Sequence, residues 1–138
     1  MLRGEKVILR PLEKEDIYKI AEWRNQEEIR KKFIDPILLS KSGQDDWFER
    51  YKQQKEKIIF AIEAREQYVG IVWLYEINYR NQSASIGIMI GDRSFWGKGC
   101  GSDAIGVLSR YAFNEANLRR ITSFVIEYNK GSLKIFEK

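Results

Sequence analysis

Apolar and polar positions change spacing several times along this chain, and each change marks an element. Residues 6–9, "KVIL", form a short apolar run that Pro11 closes, which predicts a first strand. Over residues 16–24 the period lengthens. Ile17, Ile20 and Ala21 recur at i, i+3 and i+4 and predict a helix. Ser42 is placed to cap a second helix through Tyr51, with Trp47, Phe48 and Tyr51 turned inward. Between the two helices "KKFIDPILLSKSG", broken by Pro36, predicts a loop.

Residues 57–63 alternate, with Ile58, Phe60 and Ile62 on one face. Residues 68–77 are nearly all apolar or aromatic, "NYRNQSA" turns the chain, and residues 84–90, "ASIGIMI", follow. These three runs predict an antiparallel meander. Residues 102–116 carry the clearest helical pattern: Ala104, Leu108, Tyr111 and Ala112 share a stripe, joined by Ile105 and Phe113. Residues 121–126 predict a fifth strand, and Asn129 opens a last short helix with Leu133 and Phe136 inward. The order is β-α-α-β-β-β-α-β-α. The strand–helix–strand crossing makes the fourth and fifth strands parallel. The expected fold class is α+β, a mixed and mostly antiparallel sheet with helices on both faces. No internal repeat, low-complexity segment or linker divides the chain, so residues 1–138 are expected to form a single domain.

Composition narrows the chemistry. Of 138 residues, 43% are hydrophobic and 32% charged, which suits a soluble globular domain rather than a membrane partner. The first residues, "MLRGEKVILRPLEKED", are too charged for a signal peptide. The single cysteine precludes an internal disulfide framework and fits a reducing cytoplasm. With no histidine, the commonest general base and metal ligand is missing, and no metal site is expected. The net charge of +4 comes from Lys and Arg residues scattered among acidic ones. They form no stripe, so no nucleic-acid partner is expected.

One segment resists a purely structural account. In "FWGKGCGSDA", Gly97, Gly99 and Gly101 occupy every second position after a strand and just before a helix. A helix start presents unpaired N–H groups and a partial positive charge. Bare glycines let a phosphate reach those groups, with the Lys98 charge beside them. The same glycines also suit a tight turn with positive φ, and both readings stand on spacing alone. The run lacks the Gly-Lys-Ser/Thr ending of a P-loop and the full dinucleotide-binding fingerprint.

The segment resembles the acyl-CoA pyrophosphate loop of the GCN5-related N-acetyltransferases (GNAT family), Gln/Arg-x-x-Gly-x-Gly/Ala. It matches at Gly99 and Gly101 and departs at Trp96, where Gln or Arg is usual. "WGKG" followed by Ser-Asp-Ala is similar to the branch of ribosomal-protein and polyamine N-acetyltransferases. "VILRPLEKEDI", "VGIVWLYEINYRNQSASIGIMIG" and "NKGSLKIFEK" extend the resemblance over nearly the whole chain. It implies a GNAT-like domain that uses acetyl-CoA as co-substrate and transfers its acetyl group directly to a primary amine, on a small molecule or peptide, in a ternary complex. An acyl-CoA-binding module without turnover is the alternative.

The resemblance also implies roles. The backbone of Ile88, Met89 and Ile90 would pair with the pantetheine arm, their side chains being core. The N–H groups of Trp96, Gly97, Lys98, Gly99, Cys100, Gly101 and Ser102 would hold the pyrophosphate. Asn129, also a plausible helix cap, and Ser132 would contact the CoA end. Glu76 matches an acidic position of the acceptor pocket, and Glu127 closes the fifth strand. Phe136 stands where many relatives place a proton-donating tyrosine, leaving Tyr128 the nearest substitute. Cys100 could be an activated thiol beside Lys98, but without a histidine partner an ordinary loop residue is preferred. The acidic pair in Gln44, Asp45 and Asp46 favours a cationic acceptor. Family members continue past "FEK" into two further strands, so the domain reads as C-terminally short. An uncovered fifth-strand edge would invite a homodimer.

Overall fold

The computed structural model describes residues 1–33 and 37–123. The expected last helix, and with it Glu127, Tyr128, Asn129, Ser132, Leu133 and Phe136, lies outside the described residues. The chain divides into two compact units, one holding the sheet and its long helix, the other containing Leu12–Gln54.

Among the described residues the first unit is built on six strands: β1 (Leu2–Arg3), β2 (Ile8–Pro11), β3 (Ile58–Ala64), β4 (Gln67–Asn78), β5 (Ser83–Ile90) and β6 (Arg120–Ser123). They lie in sequence order across one sheet. Neighbours from β1 to β5 are antiparallel, and β6 runs parallel to β5, as the crossover requires. The meander and the parallel closing pair therefore stand as expected. β1 is an addition. It is two residues long and makes a hairpin with β2 through Gly4, whose N–H donates to the Val7 carbonyl at 2.9 Å.

Helix α4 spans Cys100–Asn114 in this unit. It starts two residues before the expected Ser102, so Cys100 and Gly101 belong to its first turn. Its buried stripe is Cys100, Gly101, Ala104, Val107, Leu108 and Ala112. Val107 takes a place expected for Phe113, which is 47% exposed. Tyr111 meets Phe60 edge-on at 5.5 Å between ring centres. Phe60 registers with Val72, and Val72 with Ile88, so α4 packs on the sheet face those residues share. On β3 the expected inner face is only half right. Ile62 is fully buried, but Ile59 and Ala61, of the opposite parity, are also buried. A register shift follows Ile62, where Val69 of β4 is the extra residue.

The second unit contains α1 (Asp16–Asn25), α2 (Glu27–Arg30) and α3 (Lys41–Gln53). α1 falls within one residue of expectation, with Ile17, Ile20 and Ala21 buried. α2 is a single turn that the periodicity did not reveal. The cap of α3 is Ser40 rather than Ser42: Ser40 has extended φ/ψ and its Oγ accepts from the Gly43 N–H at 3.0 Å. Of the three expected inward aromatics only Phe48 is fully buried, while Trp47 and Tyr51 stack on each other at 5.3 Å. Among the described residues no helix is long and apolar enough to cross a membrane.

Candidate cofactor site

The site is assembled where β5 hands the chain to α4. Beyond Ile90 the N–H groups of Gly91 and Asp92 donate to the Val69 carbonyl at 2.8 and 3.1 Å, fixing the exit from the strand. Asp92 caps a 3₁₀ turn over Arg93–Phe95, accepting from the Ser94 N–H at 3.0 Å. Trp96 then closes back on the strand, its indole N–H donating to the Ile90 carbonyl at 2.7 Å. Its backbone N–H is taken by the Arg93 carbonyl at 3.1 Å. Of the N–H groups expected to face a pyrophosphate, that of Trp96 is thus spent inside the turn. The residue that departs from the family pattern serves as an anchor through its side chain.

After Trp96 the backbone is bare. Gly97 has φ +74° with open space where a Cβ would be, and Gly99 has φ +84°. Both values lie in the left-handed region that side-chain-bearing residues avoid. Gly99 is also the N-cap of α4, and no side chain caps that helix. The first intrahelical donor is Asp103, whose N–H reaches the Gly99 carbonyl at 3.0 Å. The N–H groups of Cys100, Gly101 and Ser102 precede it and have no acceptor within the helix. Together with the helix dipole they are the groups that an incoming anion would meet. Positive φ is required at Gly97 and Gly99, and the helix start behind them leaves backbone donors for the phosphate reading. Cys100 is buried in the first turn, which leaves it poorly placed as a nucleophile. Lys98 is exposed.

A second cation reaches the loop from far away in sequence. Lys6 donates through Nζ to the Lys98 carbonyl at 2.8 Å. No local signal could have found it, because the partners are 92 residues apart.

On β5, Ile88, Met89 and Ile90 register with Val72, Ile71 and Gly70 of β4. Gly70 permits that approach, since a Cβ there would stand 2.2 Å from the Met89 carbonyl oxygen. The other edge of β5 registers with β6 over Ser83–Ile86 only, among the described residues. Met89 is buried, as a core side chain, while Ile88 and Ile90 are only half-buried.

Glu76 is exposed, with φ +51°, where the β4–β5 register shifts between Tyr75 and Asn78. Beside it Tyr75 has its phenol pKa raised by burial first and by the Glu76 charge second, while a hydrogen bond with Ser85 pulls it down. Ser85 Oγ lies 3.1 Å from Thr122 Oγ1, so hydroxyls of β4, β5 and β6 align across the three strands. In the other unit, Gln44 is buried and donates to the Ile17 carbonyl at 2.7 Å, and Asp45 accepts from the Tyr18 hydroxyl. That bond raises the Tyr18 pKa. The acidic segment thus has structural partners of its own. Among the described residues no group of three or more His, Cys, Asp or Glu could hold a metal ion.

The same fold is found in a solved acetyltransferase. The crystal structure of spermidine N-acetyltransferase from Vibrio cholerae in complex with CoA and spermine superposes with a TM-score of 0.87. It is 26% identical, and the match covers 97% of this chain and 79% of that one. The spermidine N(1)-acetyltransferase of Escherichia coli (strain K12) is 25% identical over 138 residues, covering all of this chain and 74% of its own. The N-acetyltransferase 9-like protein of Caenorhabditis briggsae is 26% identical, covering 98% of this chain and 73% of its own. The family described as Acetyltransferase (GNAT) domain matches residues 6–138. The chain belongs to that family: it is an N-acetyltransferase whose acetyl donor is acetyl-CoA.

Proposed function

We propose that this chain, acting as a single domain in the cytoplasm, moves the acetyl group of acetyl-CoA directly to a primary amine on a cationic small molecule of the polyamine class. The observation that carries the cofactor half is the start of α4: three N–H groups without helical acceptors behind two positive-φ glycines. These features fit a diphosphate. The N–H groups of residues 97–102, with Lys98, would hold it. The backbone of Ile88, Met89 and Ile90 would hold the pantetheine arm, and Asn129 and Ser132 its far end. The polyamine class is supported by the relatives that acetylate spermidine and by Glu76, an exposed carboxylate able to attract a cation.

The transfer needs a neutral amine. Its nitrogen attacks the thioester carbonyl carbon, a C–N bond forms and the C–S bond breaks. The amine loses one proton and the departing thiolate takes one. Glu76 serves as the proton acceptor, through water, and Tyr128 as the donor in place of the tyrosine that Phe136 replaces. The bound carbonyl is polarised by backbone N–H groups of β5, which need no reorganisation during the reaction.

The test is thiol release from acetyl-CoA with spermidine as acceptor, run beside a Gly99→Asp variant. A carboxylate in the anion site should abolish release. Release from the parent that Glu76→Gln reduces about tenfold or more supports the reading. Acetyl-CoA binding without thiol release to spermidine, other polyamines or peptide amines would favour the binding module instead.

A further inference from the structure

We propose that Lys6 is a phosphate-binding residue of the acetyl-CoA site, positioned by Asp103; this rests on the reading of the glycine loop above. Its ammonium donates to the Lys98 carbonyl at 2.8 Å and lies 2.8 Å from where a Cβ on Gly99 would stand. It therefore sits in the space that a bare Gly99 leaves open, beside the unspent amides of α4. An ammonium carries three protons on a flexible stem, so it can hold the carbonyl and a phosphate oxygen together.

The backbone at the root of this stem is fixed. The N–H groups of Glu5, Lys6 and Val7 donate to the Asp103 carboxylate at 3.3, 2.7 and 3.0 Å. Gly4 completes the contact, since a Cβ there would stand 2.4 Å from Asp103 Oδ2 and 2.6 Å from Val107 Cγ2. The β1–β2 hairpin is thereby pinned to the first turn of α4. The clamp also alters the field at the loop. A bare carboxylate one turn into the helix would oppose an incoming diphosphate. Three amide donors turned onto Asp103 offset its charge. The helix dipole and the charges of Lys6 and Lys98 then act at the loop.

Calorimetric Kd values on the full chain, Lys6→Met and Lys6→Arg, for acetyl-CoA and for S-acetylpantetheine, test the proposal. S-acetylpantetheine lacks the diphosphate. Lys6→Met should weaken acetyl-CoA binding about tenfold and shift S-acetylpantetheine less than about twofold, so the ratio of the two falls about tenfold. Lys6→Arg should restore the ratio to within about threefold of the parent. Parent-like acetyl-CoA affinity in Lys6→Met would overturn the role of Lys6 and leave the proposed function standing. Equal losses for both compounds would show a merely structural lysine and overturn it as well. A parent that binds no acetyl-CoA would overturn both readings together.

Discussion

Asp103 stands in the first turn of α4 and accepts three backbone N–H groups from the turn before β2. A carboxylate there also complements the helix N-terminus. Asp103→Ala should lower unfolding free energy in urea by about 2 kcal/mol, because the amides lose a charged acceptor. Tyr75 has a different sensitivity. Its folded pKa lies above the ordinary 10.0, so the folded state holds the phenol proton more tightly than the unfolded state. The stability from this difference is fully present below pH 10 and falls as pH rises from 10 through the folded value. Tyr75→Phe should flatten that alkaline decline in thermal melts, and should remove one late-titrating phenolate from the 295 nm absorbance curve. Neither residue was legible beforehand. Asp103 reads as an ordinary first-turn acid and Tyr75 as one aromatic in an apolar strand. Their roles come from partners that only the sheet brings close. The glycines were legible, because φ beyond +70° at Gly97 and Gly99 leaves few other residues possible.

At the level of elements, the β3–β4 hairpin turns through Arg65 and Glu66, at φ +50° and +64°. Ala64 pairs with Gln67, so this is a two-residue loop with both central residues left-handed. Such loops favour Asn-Gly, and neither residue here is of that kind. Glu66→Gly should raise stability by about 1 kcal/mol, read as a higher urea midpoint at unchanged slope. On β5, Gly87 lies under the Trp73 indole, whose atoms would stand 2.5 Å from an added Cβ. Gly87→Ala should cost about 1–3 kcal/mol through displacement of that ring. Long strands and α4 announced themselves through period. α2, one turn long, has too few positions to show one. The α3 cap moved from Ser42 to Ser40 because two serines lie in reach of the same helix start, and only the extended backbone at Ser40 selects between them. The face of β3 was misread because apolar residues occupy both parities of the strand, Phe60 meeting Tyr111 while Ile59 and Ala61 are the buried pair.

For the whole molecule, strand order and the parallel closing pair followed from the element order, since chirality and connection length leave few arrangements. The pinning of an N-terminal hairpin to a distant helix did not follow, because no periodicity encodes a contact 97 residues apart. Binding of acetyl-CoA to the folded state alone should stabilise the chain by about 2.7 kcal/mol at a hundredfold excess over Kd. A thermal-shift titration reads this directly, and Gly99→Asp should abolish the shift. The Asp103 clamp has a further consequence, for synthesis. Residues 4–7 are added to the chain about 5–20 s before Asp103, at about 5–20 residues per second. Until then the amides of Glu5, Lys6 and Val7 have no carboxylate to dock on, and β2 waits for β3 in the same way. The cofactor loop is therefore completed late in translation, from both directions of the chain. A ribosome-stalled nascent chain ending before α4 should leave those amides open to rapid hydrogen exchange, and one carrying α4 clear of the exit tunnel should protect them.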